Sequence, residues 1–165
     1  MLVNSNRGAE GIAELERTLA LDPNLAQAQA RMGFAMAVNG RAGETEAHIK
    51  EALRLSPRDP FAFQWVAYGA FAKLLSGADE EAVALYHRSI ELYRNYPISH
   101  LYLAAALQLL GRPEEARKEA EVVLQLTPKF TLRLYRAGAQ SDNRLFLKQR
   151  ERIIEALRAA GVPEG

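Results

Sequence analysis

Leu21-Asp22-Pro23, Leu55-Ser56-Pro57 and Leu126-Thr127-Pro128 are three versions of one boundary, and the distances between them decide the fold. The first two prolines stand 34 residues apart. Counting 34 residues back from Pro128 reaches Arg94, which follows Ile90-Glu91-Leu92-Tyr93, a segment built like those before the other boundaries. The interval left between Pro57 and Arg94 is 37 residues, one period with three extra residues around Leu75-Ser76-Gly77-Ala78, where two helices would meet. A fixed period of this length marks supersecondary units that stack on one another.

Within each period small and large residues recur in register. Upstream of the boundaries stand Gly11/Leu15/Thr18, Thr45/Ile49/Ala52, Ala82/Tyr86/Ser89 and Ala116/Ala120/Val123, with offsets of four and three that keep them on one helical stripe. Downstream, Met32-Gly33, Val66-Ala67 and Leu103-Ala104 pair a large residue with a very small one, which lets a neighbouring helix approach closely. The pattern resembles the tetratricopeptide repeat, a 34-residue helix-turn-helix unit, over about Gly8 to Thr127. The usual tryptophan is replaced by Gln29, Phe63 and His100, and Arg94 stands at one boundary proline. The resemblance implies an all-α fold, a right-handed superhelix or α-α solenoid, with one partial and three complete repeats over residues 1–128 and a C-terminal capping segment over 129–165.

Capping and stop signals place helices near Gly8–Leu21, Leu25–Asn39, Glu44–Leu55, Pro60–Leu75, Asp79–Tyr93, Pro97–Leu110 and Pro113–Leu126. Each hairpin is too small to hide its apolar face alone, so stability comes from stacking. Met1–Arg7 is too short to supply the first helix of the first repeat. The missing partner of Gly8–Leu21 is expected from upstream sequence, from the other end of the chain, or from a second copy, and the chain reads as a fragment of a longer protein.

Past the array, Ser141-Asp142 is expected to cap a helix over Asn143–Ala160, whose stripe of Phe146, Ile153, Ile154, Leu157 and Ala160 needs a surface to cover. Repeat arrays require such a terminal cap. Residues 129–165 carry eight basic groups against four acidic ones, while 1–128 carry 13 against 16. The basic excess reads as a solvated face, with an acidic partner surface as the alternative. Ser141-Asp142-Asn143, Gln149-Arg150-Glu151-Arg152-Ile153, Leu157-Arg158 and Ala160-Gly161-Val162-Pro163-Glu164-Gly165 resemble the extreme C-terminus of bacterial adenylate/guanylate cyclase-type proteins that carry a tetratricopeptide region. Leu53-Arg54-Leu55-Ser56-Pro57-Arg58-Asp59 and Arg94-Asn95-Tyr96-Pro97 fit the same group, whereas Arg144 stands where a proline is expected. That resemblance implies a catalytic domain upstream of the repeats and a signalling role. None of the family's catalytic positions has a counterpart here.

The 165 residues, 48% hydrophobic and 25% charged, describe one folded globular unit, not a disordered or membrane-spanning chain. A net charge of +1 supplies no general pull toward nucleic acid or an anionic membrane. Met1 to Gly8 has no apolar stretch of signal-peptide length, and Phe61 to Leu75 is broken by Gln64, Gly69 and Lys73. The expected location is cytoplasmic. The absence of cysteine removes disulfides, thiolate nucleophiles and sulfur-ligated metals. His48 and His87 are expected to face solvent and His100 to take a packing position, none at metal-ligand spacing. Glu44/Glu46, Asp79-Glu80-Glu81 and Glu114-Glu115 lie in first turns of helices, where the dipole favours negative charge. Asn39-Gly40-Arg41-Ala42-Gly43 lacks the lysine of a phosphate loop. No enzymatic activity, metal or cofactor is expected.

Stacked repeats curve, and the first helix of each pair lines the concave side. Helical projection puts Gln27, Ala30, Phe34, Ala37 and Val38 there from one repeat. Phe61, Gln64, Tyr68, Phe71 and Leu75 follow from the next, and Ile98, Leu101, Ala105, Gln108 and Leu109 from the last. Family members that clamp chaperone carboxylates use Lys, Arg and Asn at such places; only Arg31 lies nearby, so that role is not expected. Phe34, Tyr68 and Phe71 are candidate anchors for a protein or peptide partner, with Gln64 and Gln108 reading its backbone. The alternative is that this face packs on the chain's own C-terminal helix or on another subunit, as in a homodimer.

Overall fold

The computed structural model describes residues 5–165. They form α1 (Ser5–Leu21), α2 (Ala26–Val38), α3 (Thr45–Leu55), α4 (Ala62–Leu75), α5 (Asp79–Leu92), α6 (Pro97–Leu109), α7 (Pro113–Leu126), α8 (Leu132–Ala137) and α9 (Arg144–Ala159), with no strand among the described residues. Helices α2/α3, α4/α5 and α6/α7 are the three hairpins. Each first helix also packs on the preceding repeat, α4 on α2 and α3, α6 on α4 and α5. This is the α-α solenoid that the 34-residue period predicts.

The repeat positions become the core. Thr45, Ile49 and Ala52, Ala82, Tyr86 and Ser89, and Ala116, Ala120 and Val123 are all buried. In α1 the equivalent Gly11, Leu15 and Thr18 are only partly covered, because among the described residues α1 packs chiefly on α2, through Ile12 against Met32 and Met36. The C-terminal helix does not supply the missing partner of α1, since it packs elsewhere; the expectation about Met1–Arg7 lies largely outside the described residues.

Close approach within a hairpin is visible at Gly33. A Cβ there would lie 3.2 Å from both the Thr45 carbonyl oxygen and Ile49 Cδ1. Thr45 Oγ1 donates to the Gly33 carbonyl at 2.8 Å, tying α3 to α2. Ser89 Oγ does the same between α5 and α4, donating to the Phe63 carbonyl at 2.7 Å. The expected stop at Asn39-Gly40 is made by Gly40 at φ +79°, the left-handed region that glycine enters without steric penalty.

Four local expectations are corrected. Helix α4 starts at Ala62 rather than Pro60, because the Asp59 side chain accepts from Phe61 N at 2.9 Å and holds a turn. Helix α8 was not anticipated; Thr131 caps it by accepting from Leu134 N at 3.3 Å. Asn143, not Ser141-Asp142, caps α9, accepting from Phe146 N at 3.0 Å. His48 is half-buried, its Nδ1 2.8 Å from Gln29 Oε1.

The last pairing recurs 71 residues later. His100 Nδ1 lies 2.6 Å from Glu119 Oε2, so two of the three tryptophan replacements are joined to a polar group 19 residues on, across their hairpin. His100 Nε2 also lies 2.7 Å from the Arg94 carbonyl. Both ring nitrogens therefore face acceptors, and only the imidazolium donates to both.

The C-terminal segment covers the array from within. Helix α9 packs on α6 and α4, not on the outer side of α7 as the end of a stack would suggest. Phe146, Ile153, Ile154 and Leu157 are fully buried, and the Phe146 ring meets Phe71 edge-on at 6.3 Å. Two arginines fasten it. Arg152 donates to the Leu74 carbonyl at the end of α4 and pairs with Asp79 at the start of α5. Arg150, 3% exposed, sits 4.0 Å over the Tyr135 ring and donates to the last carbonyls of α8, Tyr135 and Arg136. The end of the chain closes on α8, with Leu132 N and Arg133 N donating to the carbonyls of Pro163 and Glu164.

At roughly 1.5–3 kcal/mol per large apolar side chain, Phe146, Ile153, Ile154 and Leu157 together contribute on the order of 6–12 kcal/mol. That rivals the whole stability of a typical domain, so α9 is part of the core and not a detachable tail. Phe146→Ala is therefore expected to lower the unfolding free energy by about 3–5 kcal/mol in chemical denaturation; a loss below about 1 kcal/mol would contradict this placement. A second expectation concerns pH. Burial pushes the His100 imidazole down, but the Glu119 carboxylate and the Arg94 carbonyl together hold it above its ordinary 6.5. The native state then binds this proton more tightly than the unfolded chain. Its stabilising contribution is complete below about pH 6.5 and is lost as pH rises through the higher native value. Denaturation midpoints compared across that range should fall with rising pH, and His100→Gln should flatten the trend.

Candidate functional site

Because α9 lies across α4 and α6, most of the expected concave surface is closed. Phe71, Leu75, Leu101 and Ala105 are buried in the same cluster as Phe146, Ile153 and Leu157, together with Ala37 and Val38. Leu109 packs against that cluster, and Gln108 is half-buried. Ala30 faces the interior between α2, α3 and α4, against Ile49, Ala52 and Trp65. Gln27 accepts from Trp65 Nε1 at 3.2 Å, which satisfies the one buried indole. Phe61 precedes α4, is 54% exposed and does not line the opening that remains. Of the three proposed anchors, Phe71 is core and only Phe34 and Tyr68 remain accessible.

What is left open is a recess of about 170 Å³ between α2, α4 and the start of α6. Phe34 and Tyr68 form one wall, their ring centres 4.7 Å apart, with Phe71 6.3 Å from Phe34 behind them. Gln64, Ala67, Ile98, Tyr96 and Tyr102 complete the array's share. Gln140, from the segment between α8 and α9, closes the remaining side. Projection of single helices did not find Tyr96, Tyr102 or Gln140. Tyr96 precedes α6, and Gln140 arrives from 72 residues beyond Tyr68, so neither is visible in any one helix's periodicity.

The polar groups of the recess are neutral. Gln64 Nε2 donates to Tyr96 Oη at 3.5 Å, a long and weak hydrogen bond that a ligand acceptor can replace. Burial pushes both the Tyr68 and Tyr96 hydroxyls above the ordinary phenol range; Tyr96 pushes Tyr68 further, while Arg31 draws it back. Both hydroxyls stay protonated at physiological pH and keep an O–H to donate, while Tyr96 Oη accepts from Gln64. No Asp or Glu lines the recess.

A second opening, about 310 Å³, lies on the opposite side between α3 and α5, floored by Val66 and Gly69 of α4. Ile49, Leu53, Ala84 and Leu85 line it, and Lys73 bridges Glu46 at 2.9 Å and Glu81 at 2.7 Å. Lys50 and Lys73 together hold Glu46 at about 2. Sequence reading missed this opening, which exists because α3 and α5 do not close over α4.

The C-terminal basic residues divide by role. Arg150 and Arg152 are structural, and Arg136 and Arg158 pair with Glu164 at 2.5 and 3.1 Å, so half of the eight are engaged, three inside the segment and Arg152 with α4 and α5. Lys129, Arg133, Arg144 and Lys148 are exposed. Among the described residues no group of side chains is arranged to hold a metal ion, and no helix is long and apolar enough to cross a membrane.

Neither a protein-family model nor a curated protein matches the sequence. Solved structures do. A crystal structure of MamA aligns with a TM-score of 0.64 at 17% identity, over 97% of this chain and 93% of that one. The MamA AMB-1 structure gives 0.63 at 20% identity, over 94% and 86%. YrrB, described as a TPR protein with an unusual peptide-binding site, gives 0.59 at 21% identity, over 94% and 77%. At these identities the likeness is one of fold, and together with the buried 34-residue register it establishes that this chain has the tetratricopeptide-repeat fold.

Proposed function

We propose that this chain is a non-catalytic protein-interaction scaffold, in which residues 1–128 form the repeat array and 129–165 the covering segment, and which docks a peptide in the recess of Phe34, Gln64 and Tyr68. The observation that supports this reading is the pairing of partly exposed Phe34 and Tyr68 with the amides of Gln64 and Gln140 and the hydroxyls of Tyr68 and Tyr96, in a layer where Phe71, Leu75, Leu101 and Ala105 are buried. Exposed aromatics of this kind carry most of the energy in interfaces. YrrB, similar in fold, is itself described by its peptide-binding site.

Two finer readings rest on the sequence. The resemblance of Ser141–Gly165 to cyclase-type tails supports a regulatory, cytoplasmic place downstream of a nucleotide cyclase, and a reading frame continuing upstream into such a domain tests it. The alternative is a stand-alone adaptor that self-associates through α1, favoured by Leu21, 89% exposed, and the half-covered Leu15 and Leu19. Light scattering that stays at the mass of one chain at high concentration counts against self-association.

The recess is tested with a peptide selected from a random display library on the folded chain. Phe34→Ala and Tyr68→Ala should each weaken its binding by about tenfold or more, near 1.4 kcal/mol or above, with the helical circular dichroism unchanged. Phe71 is unsuitable for this test because it is 3% exposed and its loss would damage the core. Undiminished affinity in both variants rules out the recess as the docking place.

A further inference from the structure

The recess is too narrow for a helix. An α-helix with its side chains is about 10–12 Å across, and α9 already takes the part of the layer where such a cylinder would lie. An opening of about 170 Å³ accepts one or two side chains from an extended strand. Its walls are aromatic rings, and the polar groups that face it, the Gln64 and Gln140 amides and the Tyr68 and Tyr96 hydroxyls, can all donate. No carboxylate is present to receive a cationic side chain. Arg31 stands exposed one turn before Phe34 on α2 and acts on Tyr68 as a positive neighbour, so an anionic residue placed beside the recess has a cationic partner there.

These features suit a chain that brings flat apolar rings and backbone acceptors. A proline has no backbone N–H, so a run of prolines offers carbonyl acceptors without donors that would need partners. Its ring is flat and apolar and packs on aromatic faces, and the polyproline II conformation is already extended before binding, which reduces the ordering cost. We propose, building on the docking role of this recess, that it takes a proline-rich segment in polyproline II conformation, with an acidic residue beside the prolines directed to Arg31. Rings of the segment stack on Phe34 and Tyr68, while Gln64, Tyr96 and Gln140 donate to its carbonyls.

The test is a titration of the isotope-labelled full chain, followed by amide chemical shifts. The probe is an acetylated, amidated peptide of one glutamate followed by six prolines. Two controls replace the prolines by alanines or the glutamate by lysine. The proline peptide is expected to shift Phe34, Gln64, Tyr68, Tyr96 and Gln140, and to bind at least about tenfold more tightly than the alanine control. The lysine control should bind more weakly than the glutamate probe, and Arg31→Ala should remove that difference. Tyr68→Phe, which keeps the ring, should retain more affinity than Tyr68→Ala.

Equal binding of the alanine peptide at the same residues overturns the proline assignment and leaves the recess as a docking place. Tighter binding of the lysine peptide overturns the acidic preference. Shifts confined to Ile49, Leu85 and the opposite opening, or no shifts with any probe, overturn the proposal altogether. The library-selected peptide then decides separately whether the recess binds peptides of another kind.

Discussion

Helices α4 and α6 are apolar nearly all the way round, with Trp65, Val66, Ala70, Phe71 and Leu74 buried on different sides of one and Leu101 to Leu107 buried without a break in the other. A helix of this kind is stable in water only if every face is covered. The second helices of the hairpins, α3, α5 and α7, are amphipathic and cover one side. The neighbouring hairpins cover the flanks. The side toward the concave layer is left, and α9 closes it with Phe146, Ile153, Ile154 and Leu157. The position of α9 follows from the composition of α4 and α6 and determines where the molecule remains open.

Polar groups within this apolar frame act as registers. Thr45 and Ser89 stand at small-residue positions where an alanine would also fit, yet each donates to a carbonyl of the facing helix and sets the height at which its hairpin closes. The places where tetratricopeptide repeats usually carry a tryptophan hold Gln29 and His100, and each is joined to the residue 19 positions on, His48 and Glu119. A large apolar contact has been exchanged for a bonded polar pair in the same geometry. Buried polar groups are tolerated when they are satisfied, and the His100 ring, with an acceptor at each nitrogen, meets that condition in its charged form.

The recess is what remains after these demands are met. It is aromatic because Phe34 and Tyr68 belong to the layer that α9 stops short of covering, and it is donor-rich because Gln64, Tyr96 and Gln140 converge there from three separate parts of the chain. None of its lining residues is charged, and Arg31 on the same helix as Phe34 stands outside it. The salt-bridged mouth of the opposite opening differs in kind: Lys73 there is already engaged by two carboxylates, so its charges are neutralised within the chain.

The sequence by itself determined the hairpins, their order and their core, because a 34-residue period of small and large residues describes burial directly, and Thr45 to Val123 are buried in that register. It also showed that Phe146, Ile153 and Leu157 form a stripe in need of cover, but a stripe says nothing about which surface covers it. The pairing of Arg152 with Asp79 joins residues 73 apart, and the approach of Phe146 to Phe71 is equally remote. Tertiary structure alone decided those partners. For that reason it also decided that Phe71, Leu101 and Ala105 are core, that Phe34, Gln64 and Tyr68 stay open, and that Gln140 joins them.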